Sequence, residues 1–378
     1  MSERKRFELD EQATGAERQT QSGEEASVSV GDGTQTNAPT TADLPIIDEG
    51  NDGFHVAAGL SAAGYHPVVL FGSAGSGKTS LLLSLMALLR DEPELLCGLD
   101  LGDPILGLDT AYGRFIRDQA EGFYGKKTQD FIEGRAASKT AIEAPFFIPL
   151  VIRPENKPEI RLAFMESNGE WYRPDRGSDR LFVPLRRQIE DLLTAYQDPI
   201  TFIHLIPYTQ HALYSTVSDQ HTDDQEIREA GLAIVGALKA YKEVRANKLG
   251  DRHLMLVSKW DAHNRSDLDR VSVLQETTGE LEAFLNGPYR QAFAEYRNLG
   301  LAPDQRQVDT YCAGQIRGQT VIMPRRGDDL HDALMLYPKR LWRWLYRTTL
   351  EQLEEPVVDP FPPEPQPNWF VRLLNRLF

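Results

Sequence analysis

The chain has 378 residues, 41% of them hydrophobic and 26% charged, which is enough apolar material for a sizeable buried core. Its 56 acidic residues outnumber the 41 basic ones, and the net charge of −15 argues against a surface that binds nucleic acid. Cys97 and Cys312 are too few for a disulfide framework or a four-ligand zinc site, so we expect buried or half-buried thiols in a reducing compartment. No stretch approaches the roughly 20 apolar residues that cross a bilayer, and the N-terminus lacks a signal-peptide pattern, which together predict a cytoplasmic protein.

The chain begins with a polar segment. Residues 1–45 are rich in Ser, Thr, Gln, Glu and Gly and contain few large apolar groups, a composition that predicts disorder. From 46 to 355, apolar runs of strand length alternate with longer helical patterns, which is typical of an α/β domain with helices on both faces of a mostly parallel sheet. Six strands are predicted, at 66–71, 146–152, 160–165, 200–206, 253–257 and 307–311.

The first predicted strand runs into a glycine-rich turn and then into a helical pattern. This turn matches GxxxxGK[ST] in the strand, turn and helix context that a phosphate-binding loop requires. Its glycines allow backbone amides to curl around a β-phosphate, and the N-terminal end of the next helix adds positive potential. Lys78 is expected to neutralise β- and γ-phosphate oxygens, and the Thr79 hydroxyl to bind Mg²⁺. The predicted nucleotide-binding residues are Gly72, Ser73, Ala74, Gly75, Ser76, Gly77, Lys78, Thr79 and Ser80.

A threonine ahead of the second predicted strand is a candidate for a further magnesium ligand. Thr140 lies in the run SKTAIEAPFF, where its hydroxyl and a backbone carbonyl would complete the magnesium shell when a triphosphate is bound. Thr128 is the alternative. Either residue is equally consistent with an ordinary loop threonine.

The second and third predicted strands are joined by a segment too short for a helical crossover, so they are expected to pair as an antiparallel hairpin. The third strand ends at Glu166 in the run RLAFMESNGEW, and Gly169 follows three residues later. At that place an acid can reach the magnesium shell and a glycine amide can meet a γ-phosphate. Both features favour a switch-type nucleotide hydrolase over a nucleotide kinase with a fully parallel sheet.

Helical patterns follow the fourth strand, at about 210–250 and again at 274–299. In the helix predicted over 225–246, one stripe has the spacing of a face that packs on a sheet: Ile227, Gly231, Ile234, Leu238 and Tyr241. The nearby His204, His211, His221 and Asp223 straddle a strand and a polar loop. Their spacing is not that of a zinc site, so no metal is predicted there.

The fifth and sixth strands end in short polar runs. The fifth ends in Ser258, Lys259, Trp260 and Asp261, and the sixth closes with Cys312, Ala313 and Gly314. Together with the phosphate loop and Glu166 to Gly169, these runs resemble the motif set of small-GTPase-like P-loop proteins of the TRAFAC class. The lengths of the loops and helices resemble, more weakly, the double-GTPase families of bacterial conflict systems.

The resemblance implies a six-stranded P-loop sandwich with one antiparallel strand, and guanine nucleotide with Mg²⁺ as its ligands. By the same carry-over, Asp261 would accept the N1 and N2 protons of guanine, Lys259 would lie along the base, and the Ala313 amide would meet O6. Glu166 stands where the family has Asp, and Ser258 where it has Asn or Thr. The run SKWD is also consistent with an ordinary polar loop after a buried strand.

The residue after Gly169 bears on hydrolysis. Glu170 stands where the resemblance expects a residue that orients the attacking water, and we predict that role for it. Three arginines follow it closely, and one of them is a candidate to pair with Glu170 or to act as an internal arginine finger, although exposed loop arginines are commonly only solvated. They are Arg173, Arg176 and Arg180.

The C-terminal part begins with an amphipathic segment over 337–355, the last helix of the domain, with Trp342, Trp344 and Leu345 as packing residues. Prolines then predict an extended spacer over 356–368. The tail that follows carries one apolar helical stripe, for a protein partner, for the chain's own domain or, less favoured because only two arginines accompany it, for a membrane surface. The stripe consists of Trp369, Phe370, Leu373, Leu374, Leu377 and Phe378.

The leading functional hypothesis is a magnesium-dependent GTP-binding and GTP-hydrolysing switch that acts on a protein partner through its switch loops and tail. The alternatives are an ATPase of motor or secretion-associated type, and an adaptor that binds nucleotide without hydrolysing it.

Overall fold

The main sheet of the computed structural model has seven strands in the order β2-β3-β4-β1-β5-β6-β7. β3 is antiparallel to both of its neighbours, and every other neighbouring pair is parallel. A separate two-stranded hairpin, β8 with β9, follows the main sheet. In chain order the strands are β1 His66–Phe71, β2 Cys97–Leu101, β3 Phe146–Pro154, β4 Ile160–Glu166, β5 Thr201–Pro207, β6 Arg252–Ser258, β7 Arg306–Thr310, β8 Gln315–Arg317 and β9 Thr320–Ile322.

The structure describes residues 58–92, 95–102, 111–135, 146–166, 190, 193–208, 220–245, 250–260, 273–317, 320–323, 325 and 329–361. The predicted disordered segment 1–45 and the tail 369–378 lie outside these residues. All the described residues belong to one compact unit. The domain boundaries predicted at 45, 355 and 368 stay predictions.

The helices form two packed groups. α1 packs against α3 and α7, and α6 packs against both α4 and α5. α2 continues through a π-helical turn, Phe123–Lys127, directly into α3. The helices are α1 Lys78–Asp91, α2 Ala111–Gly122, α3 Thr128–Ile132, α4 Gln220–Arg245, α5 Val273–Asn286, α6 Arg290–Arg297 and α7 Asp329–Gln352, with a 3-10 turn at Pro303–Gln305.

The sheet is covered on both of its faces. Every residue of β1 and of β5 is buried, the pattern of parallel strands between two helical layers. The stripe predicted on α4 is confirmed, because Ile227, Ile234 and Leu238 all lie in the core. The chain therefore folds as the three-layer P-loop sandwich expected from its sequence. Within the described residues, no helix is both long and apolar enough to cross a membrane.

All six predicted strands are present, and the sheet has a seventh that the sequence analysis did not predict. This is β2, which pairs with the outer edge of β3 from Cys97 to Leu101. Only Leu99 of its five residues is buried, so the segment lacks the apolar run by which the other strands were recognised. The predicted antiparallel hairpin of β3 and β4 is confirmed, and its register sets Glu166 opposite Phe146.

A buried ion pair anchors the end of α4. Arg245 and Asp251 are both fully buried, with Nε of the arginine 2.8 Å from Oδ2 of the carboxylate. Nη2 donates to Oδ1 of Asp251, and the remaining guanidinium hydrogens go to the carbonyl oxygens of Leu193, Tyr196 and Asp198. Asp251 also accepts the backbone N–H of Ile200. All five N–H donors of the arginine are thus satisfied.

Candidate phosphate-binding site

The loop between β1 and α1 lies at the carboxyl end of the central strand. β1 lies between β4 and β5, with the strands β2 to β4 on one side of it and β5 to β7 on the other, and such a switch point is where open α/β sheets bind ligands. Gly75 and Gly77 have φ angles of 74° and 94°, a left-handed conformation that residues with a Cβ rarely adopt. Gly77 is also the N-cap of α1, so the unsatisfied N–H groups of the first helical turn follow directly.

Gly72 is required by close packing rather than by its backbone angles. A Cβ at this position would lie 2.4 Å from Oγ of Ser76 and 3.1 Å from the carbonyl oxygen of Leu205. The loop therefore folds tightly back on its own first residue. A larger residue here would push the loop away from β5.

Lys78 is held inside the curve of the loop. Its side chain is only 6% exposed, and Nζ donates to the carbonyl oxygens of Gly72 at 2.7 Å and Ser73 at 3.3 Å. Burial lowers the pKa of Lys78, and the nearby Glu166 carboxylate opposes this shift. The ammonium is consequently positioned by backbone contacts, at the place where the sequence predicts phosphate oxygens.

Glu166 is a buried carboxyl at the end of β4, next to the loop. Thr79 Oγ1 donates to its Oε1 at 3.2 Å, and Oε2 has no hydrogen-bond partner among the described residues. Burial raises the pKa of Glu166 to about 7, although Lys78, the Thr79 hydroxyl and Lys127 all favour the charged form. A buried carboxylate oxygen without a partner is rare and calls for an explanation such as a bound ion.

These two residues fit a magnesium ion. Carboxylate and hydroxyl oxygens are the hard ligands that Mg²⁺ prefers, and the open Oε2 of Glu166 adjoins the Thr79 hydroxyl. The extra methylene of Glu, relative to the Asp that the resemblance expects, therefore does not prevent contact between the acid and Thr79.

The end of β6 is joined to the phosphate loop through Ser258. Its Oγ donates to the carbonyl oxygen of Ser76 at 2.6 Å, and lies 3.4 Å from that of Ile206. The serine thus uses its hydroxyl to brace the loop, in a place where the resemblance expects the larger Asn or Thr. Lys259 follows with a left-handed φ of 59°.

The loop after β7 lies beside the loop after β6. The backbone N–H of Trp260 donates to the carbonyl oxygen of Tyr311 at 3.2 Å, and the Tyr311 hydroxyl bonds Ser84 of α1. Ala313, two residues beyond Tyr311, is half-buried. The segments predicted to hold the base are therefore connected to each other and to the helix that follows the phosphate loop.

Other predicted site residues lie outside the described residues and stay predictions. They are Thr140, Gly169, Glu170, Asp261 and the arginines at 173, 176 and 180.

The alternative magnesium ligand, Thr128, is engaged elsewhere. It is fully buried, and its hydroxyl donates to the carbonyl oxygen of Phe123 at 2.7 Å, inside the π-helical turn. His204 is likewise a core residue, since its ring stacks on His253 with the centroids 5.3 Å apart.

Two interactions at the site were not predicted from the sequence. One is the hydrogen bond from Ser258 to the phosphate loop, which joins residues 182 positions apart in the chain. The other is Lys127, whose charge acts on Glu166 from the turn before α3. No local pattern predicts either interaction, because both depend on which segments the fold brings together.

No known family model matches this sequence. No curated protein matches it either.

Among the solved structures that match this chain are several GTPases and GTPase-like domains. They include two crystal structures of the Ski7 GTPase-like domain of S. cerevisiae, one bound to GTP and one to GDP and inorganic phosphate, each 13% identical with TM-scores of 0.29 and 0.28. The aligned part covers about three quarters of this chain but only 52% of those chains. A dimerisation-deficient mutant of Toc33 from Arabidopsis thaliana is 10% identical over 76% of this chain and 91% of its own, with a TM-score of 0.26. Scores this low carry no weight for function, which must be inferred from the chain's own residues.

Proposed function

We propose that this protein binds GTP with Mg²⁺ and hydrolyses it to GDP and inorganic phosphate, as a switch that controls a protein interaction. The observation that carries the proposal is the meeting of three segments at one edge of the sheet: the phosphate loop with Lys78, the buried Glu166, and Ser258 bonded to the loop. A phosphate loop alone is shared by many nucleotide-binding proteins.

Different described residues bind the phosphates and the magnesium ion. The amides of 72–79 and the N-terminal end of α1 surround the phosphate chain, and Lys78 neutralises its oxygens. Thr79 and Glu166 hold the magnesium, together with Thr140. When bound, this ion offsets the negative charge of the β- and γ-phosphates.

Hydrolysis is an in-line attack of water on the γ-phosphorus. The bond from that phosphorus to the bridging oxygen breaks, GDP leaves with the bonding electrons, and the proton of the water passes to the released phosphate. Glu170 orients the water, and the amide of Gly169 meets the γ-phosphate. Lys78 stabilises the charge that develops toward the β-phosphate.

Selectivity for guanine comes from the loops after β6 and β7. Asp261 accepts two base protons, Lys259 lies along the base, and the amide of Ala313 meets O6. The N–H of Trp260 bonded to Tyr311 supports this proposal, since it ties the two loops together. A site built to pair polar groups rejects a base that lacks them by orders of magnitude.

The output of the switch is a protein contact. The γ-phosphate orders the loops around Thr140 and Gly169, and that surface together with the tail 369–378 meets the partner. The net charge of −15 makes a basic or apolar partner more suitable than a nucleic acid.

The deciding experiment is competition between GTP and ATP for the purified protein, combined with the variant Asp261→Asn. Wild type is expected to prefer GTP, and the variant to shift toward xanthosine triphosphate, because an amide donor suits the C2 carbonyl of xanthine. A preference for ATP would replace the proposal with an ATPase. Tight GTP binding without single-turnover hydrolysis would leave only the binding function.

A further inference from the structure

A π-helical turn, Phe123–Lys127, joins α2 to α3 and packs against α1, the helix that follows the phosphate loop. Such turns are rare and are found frequently at functional sites, because they change the direction of the side chains that follow. This one is firmly held. The Tyr124 hydroxyl donates to the carbonyl oxygen of Leu99 in β2, and Arg90 at the end of α1 donates to the carbonyl oxygen of Tyr124.

Aromatic packing connects the turn to Phe146, the residue of β3 that is paired with Glu166. The ring of Phe123 contacts that of Phe146, with the centroids 5.3 Å apart, and Phe146 is the strand partner of Glu166. On the other side, Thr128 contacts Met86 of α1, with its Oγ1 3.9 Å from the sulfur. The turn is therefore fixed between the start of β3, whose first residue is paired with Glu166, and the helix that begins with Lys78.

Lys127 is the last residue of this turn. Its Nζ lies 3.9 Å from the centroid of the Phe123 ring, a cation–π contact that holds the ammonium near Phe146 and Glu166. Within the described part of the chain it forms no ion pair with a carboxylate. Its charge nonetheless favours the ionised form of Glu166, and Glu166 in turn favours the ionised form of Lys127 against the effect of burial, which lowers the pKa of the lysine.

We infer that Lys127 contacts the terminal phosphate of the bound nucleotide and stabilises the negative charge that builds on it during hydrolysis. A second cation supplied by the protein itself would act there as an internal finger does, by electrostatic stabilisation of the transferring phosphoryl group. The inference rests on the proposed function. Lys127 lies within the described residues, where its own turn fixes it, whereas the arginine candidates at 173, 176 and 180 lie outside them.

Lys127→Gln removes the charge and retains a polar side chain of similar reach, and Lys126→Gln is the matched control at the exposed neighbouring position. In single-turnover assays with GTP we expect Lys127→Gln to lower the hydrolysis rate roughly 100-fold, the lower end of the range for loss of one preorganised donor. GDP affinity should stay within about threefold, since GDP lacks the terminal phosphate, whereas GTPγS affinity should fall. Lys127→Arg should restore most of the rate, and Lys126→Gln should behave as wild type.

The outcomes separate the two hypotheses. If wild type binds ATP rather than GTP, the proposed base preference fails, and the same variants test Lys127 with ATP and ATPγS. If wild type binds and hydrolyses a nucleotide but Lys127→Gln does so within twofold of wild type, only the inference about Lys127 is overturned. Equal losses of GDP and GTPγS affinity would also overturn it, because they would indicate a general effect on the site. If the protein binds no nucleotide, both the proposed function and the inference about Lys127 are overturned.

Discussion

Arg245 and Asp251 are fully buried charges of opposite sign, and Lys78 and Glu166 are almost as deeply buried, yet the two sets are satisfied differently. Every donor of Arg245 has an acceptor within the fold. Lys78, in contrast, donates to two loop carbonyls, and Oε2 of Glu166 has no hydrogen-bond partner among the described residues. Complete pairing identifies the first set as a structural anchor. The unpaired Oε2 in the second set, as far as the described residues show, is an observation on which the proposed nucleotide site rests.

The largest effect is expected at the anchor. Arg245→Met should lower the free energy of unfolding by about 3–5 kcal/mol, because it leaves the Asp251 carboxylate buried without its partner. Thermal denaturation should show a drop of roughly 10 °C. The control is Arg343→Met, which removes an exposed ion pair with Asp359 and should cost less than about 1 kcal/mol. Similar melting temperatures for the two variants would contradict the interpretation of Arg245 and Asp251 as a structural anchor.

Substitution of Lys78 in the candidate phosphate site should reduce nucleotide affinity rather than the stability of the fold. Lys78→Ala is expected to weaken GTPγS binding about 100-fold, or roughly 2.8 kcal/mol, since a charge contact to the phosphates is lost. The melting temperature without nucleotide should change by only a few degrees. Calorimetric titration and a thermal melt of the same sample measure both quantities, with Lys126→Ala as the surface control. An affinity equal to wild type would remove Lys78 from the site.

Buried histidines are a third kind of buried polar group, and they should make the folded state sensitive to acid. Burial lowers the pKa of His66 and of His204 to about 3, well below the value near 6.5 of an unfolded chain. Between those values the unfolded state binds more protons than the folded state, so stability should fall as pH drops below about 6.5 and continue to fall toward pH 3.

Urea denaturation at a series of pH values measures this loss. His204→Phe, in a position surrounded by aromatic rings, should flatten the slope between pH 6 and 4. An unchanged slope would mean that the carboxylates, and not the buried histidines, govern acid stability.

The smallest change in stability is expected for Glu166→Gln. The amide keeps an acceptor for the Thr79 hydroxyl and removes the need to bury a charge, so the melting temperature without nucleotide should equal or slightly exceed that of wild type at pH 8. The enhancement of GTPγS affinity by Mg²⁺ should be largely lost in the same variant. A clear fall in melting temperature would contradict this prediction, because it would show that the Glu166 carboxylate stabilises the fold as the Arg245–Asp251 pair does.

Local patterns were sufficient for much of the fold. Apolar runs identified all six predicted strands, the short connection between β3 and β4 required a hairpin, and helical spacing identified the buried face of α4. The phosphate loop was recognisable because its glycines, Lys78 and Thr79 lie within eight consecutive residues. β2 was missed because its edge pairing requires so few buried side chains.

The sequence by itself determined the elements whose physical cause is local: a turn that needs left-handed glycines, strands that must be apolar on both faces, and a connection too short to cross the sheet. Only the tertiary structure decided what those elements bring together. It placed the Ser258 hydroxyl on the loop carbonyl of Ser76, left Oε2 of Glu166 without a hydrogen-bond partner among the described residues, and held Lys127 near that carboxylate through two aromatic rings. Such contacts depend on distances between segments far apart in the chain, and periodicity and turn chemistry carry no information about those distances.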